Sequence, residues 1–313
     1  MAADPLSSQA STQRRPAGRR RWRWLIVFLI GLLLWVAAVI VTALTQNPTL
    51  IPTDVLLGSF LVPVTAVIWN FDRDVDSALS GERIFTTFVV GGVLGVLAAS
   101  VLESSLLWSG PTQYFGVGFI EEFVKLAALF GAAVGLPRYT TRDGIVLGAT
   151  VGFGFAALES SGYAFNALFT THGISLGSLV ATEALRGLLA PVGHGLWTAI
   201  VGGVVFHAAS RGNRLRVTGG VVVAYLIVSI LHGLWDSMRG IAALLTALVS
   251  LASGQLSAQS GAPTAASDTE ILLFNLFNFG GIVGVSALGV ASLVIISRRW
   301  DRPVRQAIRG TPG

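Results

Sequence analysis

Gly118-Phe119-Ile120-Glu121-Glu122-Phe123-Val124-Lys125-Leu126 is the stretch that decides how this chain is read. Two adjacent carboxylates and an ammonium sit inside an apolar run, residues 114–136, that is long enough to cross a bilayer. Ionisable groups at membrane depth are costly. They face a protein interior or a watery cavity, and they are functional candidates by default. Helical spacing relates the three groups. Glu121 and Lys125 stand i, i+4 and Glu122 and Lys125 stand i, i+3, so the lysine reaches either carboxylate. The two glutamates project about 100° apart, so only one faces a given point squarely.

Working outward, the whole chain carries the same message. Of its 313 residues 53% are hydrophobic and 12% charged, about half the charged share of a soluble domain. Apolar segments recur at 25–44, 50–69, 84–108, 114–136, 144–169, 183–209, from 217 to at least 238, and 271–296. These predict an all-α polytopic membrane protein with about eight transmembrane helices. Gly144, Gly148 and Gly152 form an i, i+4, i+8 stripe that allows close helix packing. Cysteine is absent, which excludes disulfides and thiolate chemistry and leaves His, Asp and Glu as the strong metal ligands.

The net charge of +5 reads as orientation, because the basic residues flank spans and form no soluble nucleic-acid module. With the N-terminus inside, the lysines and arginines fall in the N-tail, 70–83, 137–143, 210–216 and the C-tail, apart from Lys125, Arg186 and Arg239. Both termini are therefore expected in the cytoplasm. The expected organisation is a disordered basic tail over 1–24 and peripheral spans one to three over 25–112. A core of four spans follows over 113–239, then an extracytoplasmic segment over 240–270 with a flexible loop from 253, an eighth span over 271–297 and a basic tail over 298–313. Thr141 or Asp143 is the expected cap of span five.

Counting about 1.5 Å per residue, four spans bring ionisable groups to the middle or outer half of the membrane. They carry Glu121 and Glu122, Glu159, His194, and His232 with Asp236. His232 and Asp236 share a face at i, i+4, so the aspartate can fix the imidazole tautomer or bind metal itself. His194 shares a face with Thr198, and Glu159 with Phe155. A carboxylate–imidazole cluster without cysteine suits zinc-assisted hydrolysis or glutamate general-base hydrolysis. Other polar groups read as structural. His172 lies in a loop and His207 near the inner end of span six. Glu103 and a Glu183/Arg186 i, i+3 pair read as packing or interfacial features. Asp72, Asp74 and Asp76 lack the glycine turn and distal glutamate of a calcium loop.

The ordered motifs Glu121-Glu122-x-x-Lys125, Phe155-x-x-x-Glu159, Gly193-His194-Gly195-Leu196-Trp197 and Leu231-His232-Gly233-Leu234-Trp235-Asp236 resemble the PrsW family of intramembrane proteases, relatives of the CAAX-type prenyl endopeptidases. Lys125 comes one position earlier than the CAAX-branch arginine, and Glu159 replaces its histidine, which favours the PrsW branch over a prenylated substrate. The resemblance implies a protease of the bacterial cell membrane acting on a membrane-anchored protein of the anti-sigma-factor type. It implies Glu121 as the water-activating residue, with Glu122 and His194 completing the catalytic set. Glu159, His194, His232 and Asp236 would be the ligands if Zn2+ is used, with Lys125, Phe155 and Thr198 in support. Two other classes fit the same buried network. One is a non-enzymatic membrane scaffold. The other is an ion-coupled transporter, against which stands the lack of an inverted repeat.

Overall fold

The computed structural model describes residues 22–73, 77–252 and 266–300. Most of both basic tails, Asp74 and Asp76, and most of the flexible loop expected from residue 253 lie outside the described residues. The elements are α1 (Arg23–Thr45), α2 (Ile51–Asp72), α3 (Gly81–Leu106), α4 (Gln113–Ala133), α5 (Thr141–Leu168), α6 (Leu176–Leu189), α7 (His194–Ser210), α8 (Gly219–Ala252) and α9 (Asp268–Trp300). A two-residue hairpin, Phe169–Thr170 paired with Gly173–Ile174, joins α5 to α6.

Among the described residues seven helical units are long and apolar enough to cross a membrane. One of them is the α6–α7 pair, counted as a single unit over Leu176–Ser210. The 21 residues of α4 suffice in length for an eighth crossing, although Glu121, Glu122 and Lys125 make it more polar than the other seven. The chain is an all-α polytopic membrane protein. Its outer helices turn leucine, isoleucine and valine outward, as α1 and α9 do along most of their length, which is the pattern of a lipid-facing surface.

Capping residues set the helix starts. Ser80 accepts from the Arg83 N–H, Thr140 from the Asp143 N–H and Ser175 from the Ser178 N–H. The cap of α5 is thus Thr140, one residue before the expected Thr141. Asp143 sits at the third helical position, where its carboxylate accepts from the Thr140 hydroxyl at 2.8 Å and from the Ser77 hydroxyl at 2.5 Å. Hydroxyl and carboxylate thus bond reciprocally across the first turn, a relative of the capping box in which the acid takes the cap's hydroxyl instead of its backbone N–H.

Span six departs most from the sequence reading. It is two helices rather than one, and the expected loop over 170–182 is largely α6. The break falls at a 3-10 turn, Ala190–Val192, followed by Gly193. Pro191 lacks the N–H that a continuous helix would need and crowds the preceding turn. His194 is therefore the first residue of a new helix. At the far end, α8 runs on to Ala252, so residues 240–252 are helical.

Glycines bring the core helices into backbone contact. A Cβ on Gly144, Gly148 or Gly152 of α5 would collide with the Gly202, Thr198 or His194 carbonyl of α7. On the opposite side of the core, a Cβ on Gly118 of α4 would meet the α8 backbone at Ser229 and Gly233. These close approaches, together with the buried Trp197, Phe206, Leu147 and Leu129, fix where the four core helices sit.

Candidate active site

Lys125 is completely buried, and its ammonium makes three hydrogen bonds. It donates to Glu121 Oε2 at 2.9 Å, to Glu122 Oε1 at 3.0 Å and to His194 Nδ1 at 2.8 Å. The Phe155 ring closes a further side, 4.1 Å from Nζ to its centroid. An ammonium has three donors and no acceptor, so His194 Nδ1 must be the acceptor and its proton sits on Nε2. That Nε2–H donates to Glu159 Oε2 at 2.9 Å. The tautomer of His194 is fixed from both sides.

His232, equally buried, lies against His194 with ring centroids 4.9 Å apart. Its Nδ1 is 3.0 Å from Glu122 Oε1 and its Nε2 is 3.3 Å from Asp236 Oδ2. Glu121 Oε2 occupies the point between the two imidazoles. It is 3.7 Å from His194 Nδ1 and 3.7 Å from His232 Nε2.

Glu121, Glu122, Lys125, Glu159, His194, His232 and Asp236 come together, and the Glu121–Lys125, Glu122–Lys125 and His232–Asp236 pairs form as their i, i+3 and i, i+4 spacing requires. The supporting pair is also placed. Phe155 packs under Lys125 and against the His194 ring, and Thr198 donates to the His194 carbonyl at 3.0 Å. Gly152 seats that same carbonyl on α5.

Two participants were hidden from sequence reasoning. Arg186 does not pair with Glu183. It donates to Glu159 Oε2 at 2.5 Å and to Ser160 Oγ at 2.8 Å. Its guanidinium also lies over the Tyr163 ring, 4.1 Å from the centroid. The break before His194 sets α6 beside α5 at the angle that makes this partnership. Glu103 of α3 is the second. It borders a 260 Å³ cavity together with Glu121, Phe155, Glu159 and Tyr163. A smaller cavity of 80 Å³ lies on the other side of Glu159, lined by Arg186, Gly193, His194, His232 and Asp236 among others. The site is reached from both sides of Glu159.

The donor chemistry suits a metal ion. Glu121, His194 and His232 each offer one ligand atom, and these atoms lie within 4.8 Å of one another. Two imidazole nitrogens and one carboxylate oxygen are a typical open zinc set. The remaining imidazole nitrogens are already engaged by carboxylates, Glu159 on His194 and Glu122 on His232, which is how histidine ligands are oriented. Four carboxylates, Glu121, Glu122, Glu159 and Asp236, face only two permanent cations, Lys125 and Arg186. Further positive charge is therefore welcome here. An ion would compete with the Lys125 ammonium for His194 Nδ1. The residues present fit such an ion, and Glu159, bound by Arg186 and His194, serves as an orienting carboxylate.

Comparison with known proteins gives the same picture. The model of the PrsW family intramembrane metalloproteases matches residues 19–257. Protease PrsW of Halalkalibacterium halodurans is 24% identical over 192 residues, which cover 58% of this chain and 82% of that protein. No solved structure matches the chain.

Proposed function

This chain belongs to the PrsW family of intramembrane metalloproteases, and from that premise we propose that it cuts a membrane-anchored, anti-sigma-factor-like protein near the outer face of a bacterial cell membrane. It is an intramembrane protease by family. The finer reading rests on one observation above all: Glu121 Oε2 stands 3.7 Å from a nitrogen of each histidine. That spacing is too long for direct hydrogen bonds; the Lys125 ammonium bridges it on the His194 side, and it falls within the ligand-to-ligand separation around a zinc-class ion.

In this reading Glu121 accepts the proton of the attacking water and later returns it to the leaving amine, the general-base and general-acid pair of steps. Lys125 holds the Glu121 and Glu122 carboxylates in place without leaving the site. Glu159, itself held by Arg186, keeps the proton of His194 on Nε2 and so keeps Nδ1 facing Glu121. Glu122 does the same for His232. His194 and His232 would hold a zinc-class ion, with an Asp236 oxygen near His232 Nε2 as third donor, which leaves Glu121 free to act as the base. When bound, that ion would act as a Lewis acid on the scissile carbonyl.

The scissile segment enters through the cavity beside Glu103 and Glu121, on the α3 side. The depth of Glu121, about eight residues from the start of α4, and the arginine and lysine asymmetry support cleavage toward the outer face with both termini cytoplasmic. The test is coexpression with a single-pass anti-sigma-factor-like reporter tagged at both ends. Wild type should release an outer fragment, and Glu121→Gln should accumulate normally yet release none. Equal cleavage by Glu121→Gln, His194→Gln and His232→Gln would overturn the proposal.

A further inference from the structure

A second group of buried acids lies outside the catalytic cluster, between α1, α2 and α6. Asp54, in the first turn of α2, is 0% exposed, and neither of its carboxylate oxygens has a hydrogen-bond partner. Glu183 of α6 is 3% exposed; its Oε2 accepts the Trp35 indole N–H at 2.9 Å, and its Oε1 is unpartnered. Gly58, one turn beyond Asp54, lets the Glu183 carboxylate approach the α2 backbone. That carboxylate lies against the Gly58 Cα, in the space a Cβ would fill. The Thr42 hydroxyl of α1 lies beside the Asp54 carboxyl and the Ser59 hydroxyl of α2 beside the Glu183 carboxyl, each turned out of strict hydrogen-bond geometry.

No lysine, arginine or histidine pairs with either acid among the described residues; Arg186, one turn along α6 from Glu183, is turned the other way onto Glu159. Two carboxylates in low dielectric without a counter-charge are unstable as they stand. The unfilled lone pairs are all oxygen, from two carboxyls and two hydroxyls, with no nitrogen or sulfur acceptor among them. That is the donor set of a hard cation, and a flexible set of this kind suits Ca2+ better than Mg2+. The group lies near one membrane face. Asp54 is about 5 Å into α2 and Glu183 about 10 Å into α6, at about 1.5 Å per residue, and both helices begin on that face.

We propose that Asp54 and Glu183, with the Thr42 and Ser59 hydroxyls, form a Ca2+-class cation site that ties α1 and α2 to α6. The ion enters from the face where α2 and α6 begin. Its two charges balance the two carboxylates, and it holds the half-helix that carries Arg186.

The site is read with Tb3+ as a Ca2+ surrogate on the full chain in lipid nanodiscs, exciting indole. Trp35 touches the Glu183 carboxylate and is the expected sensitiser. Wild type should give Tb3+ emission that Ca2+ displaces, and Ca2+ at a hundredfold excess over its Kd should raise Tm by about 5 °C. Asp54→Asn and Glu183→Gln should lose both effects. Trp35→Phe should lose the emission but keep the Ca2+-dependent rise in Tm, which guards against reading a folding defect as lost binding. Emission and Tm shift that survive in both acid variants would overturn the proposal. So would a wild type whose Tm ignores Ca2+ and rises only with acid, because a shared proton would then fill the pair.

Discussion

Lys125 Nζ donates to His194 Nδ1 across 2.8 Å, from the middle of one core helix to the first residue of another. The bond dictates which ring nitrogen of His194 carries the proton. It also completes a cation whose other two donors go to Glu121 and Glu122. Removing the ammonium should therefore be felt first as instability. Loss of one member of a buried charge pair costs about 3–5 kcal/mol. Lys125→Met is expected to accumulate poorly and melt early in detergent, while Lys125→Met combined with Glu122→Gln should regain much of that loss. A double variant no more stable than the single would break this account.

Arg186 tests the outer support of the site. It touches Glu159, not the reacting atoms, and about a quarter of its side chain is exposed. Arg186→Gln should lower cleavage about 10- to 100-fold, the usual effect of losing an orienting partner. Tm should hardly move, because a partly exposed ion pair contributes little to folding. A large fall in Tm with unchanged cleavage per folded molecule would assign Arg186 to stability instead.

Glycines on two core helices make an internal comparison. A Cβ at Gly152 would push on the His194 backbone, whereas one at Gly131 of α4 meets nothing within 4 Å. Gly152→Ala is expected to cost about 1–3 kcal/mol through overpacking and to depress cleavage by displacing His194. Gly131→Ala should gain about 0.5–1 kcal/mol from helix propensity and leave cleavage intact. Parallel melting curves and reporter assays of the two variants decide the point.

Chelation addresses the ion. Treatment with 1,10-phenanthroline should abolish cleavage, and added Zn2+ should restore it. Elemental analysis should find near-stoichiometric metal in wild type and a deficit in His194→Gln and His232→Gln. Cleavage that persists in metal-free protein would leave Glu121 and the imidazoles acting on water by themselves.

The sequence made part of this legible because helix periodicity is local. Glu121, Glu122 and Lys125 meet within one turn, and His232 and Asp236 likewise, so their contacts follow from spacing. The depth of Glu159 and His194 could be counted along their spans. What spacing could not show was Arg186 on Glu159, which depends on the break between α6 and α7 at Pro191 and Gly193. An apolar run reads the same whether or not it is broken. The partnership of Trp35 with Glu183 was hidden for the same reason, since 148 positions separate the two and only tertiary packing joins them.

The glycine contacts have a mechanical consequence. α5 and α7 touch backbone to backbone, and α4 lies almost as close to α8 at Gly118. One pair carries Glu159 and His194, and the other carries Glu121, Glu122 and His232. The cluster thus lies along a seam between two stiff halves, and Lys125 is the clasp that crosses it. Parting the halves by the length of one hydrogen bond would dismantle the cluster. Closing them would rebuild it.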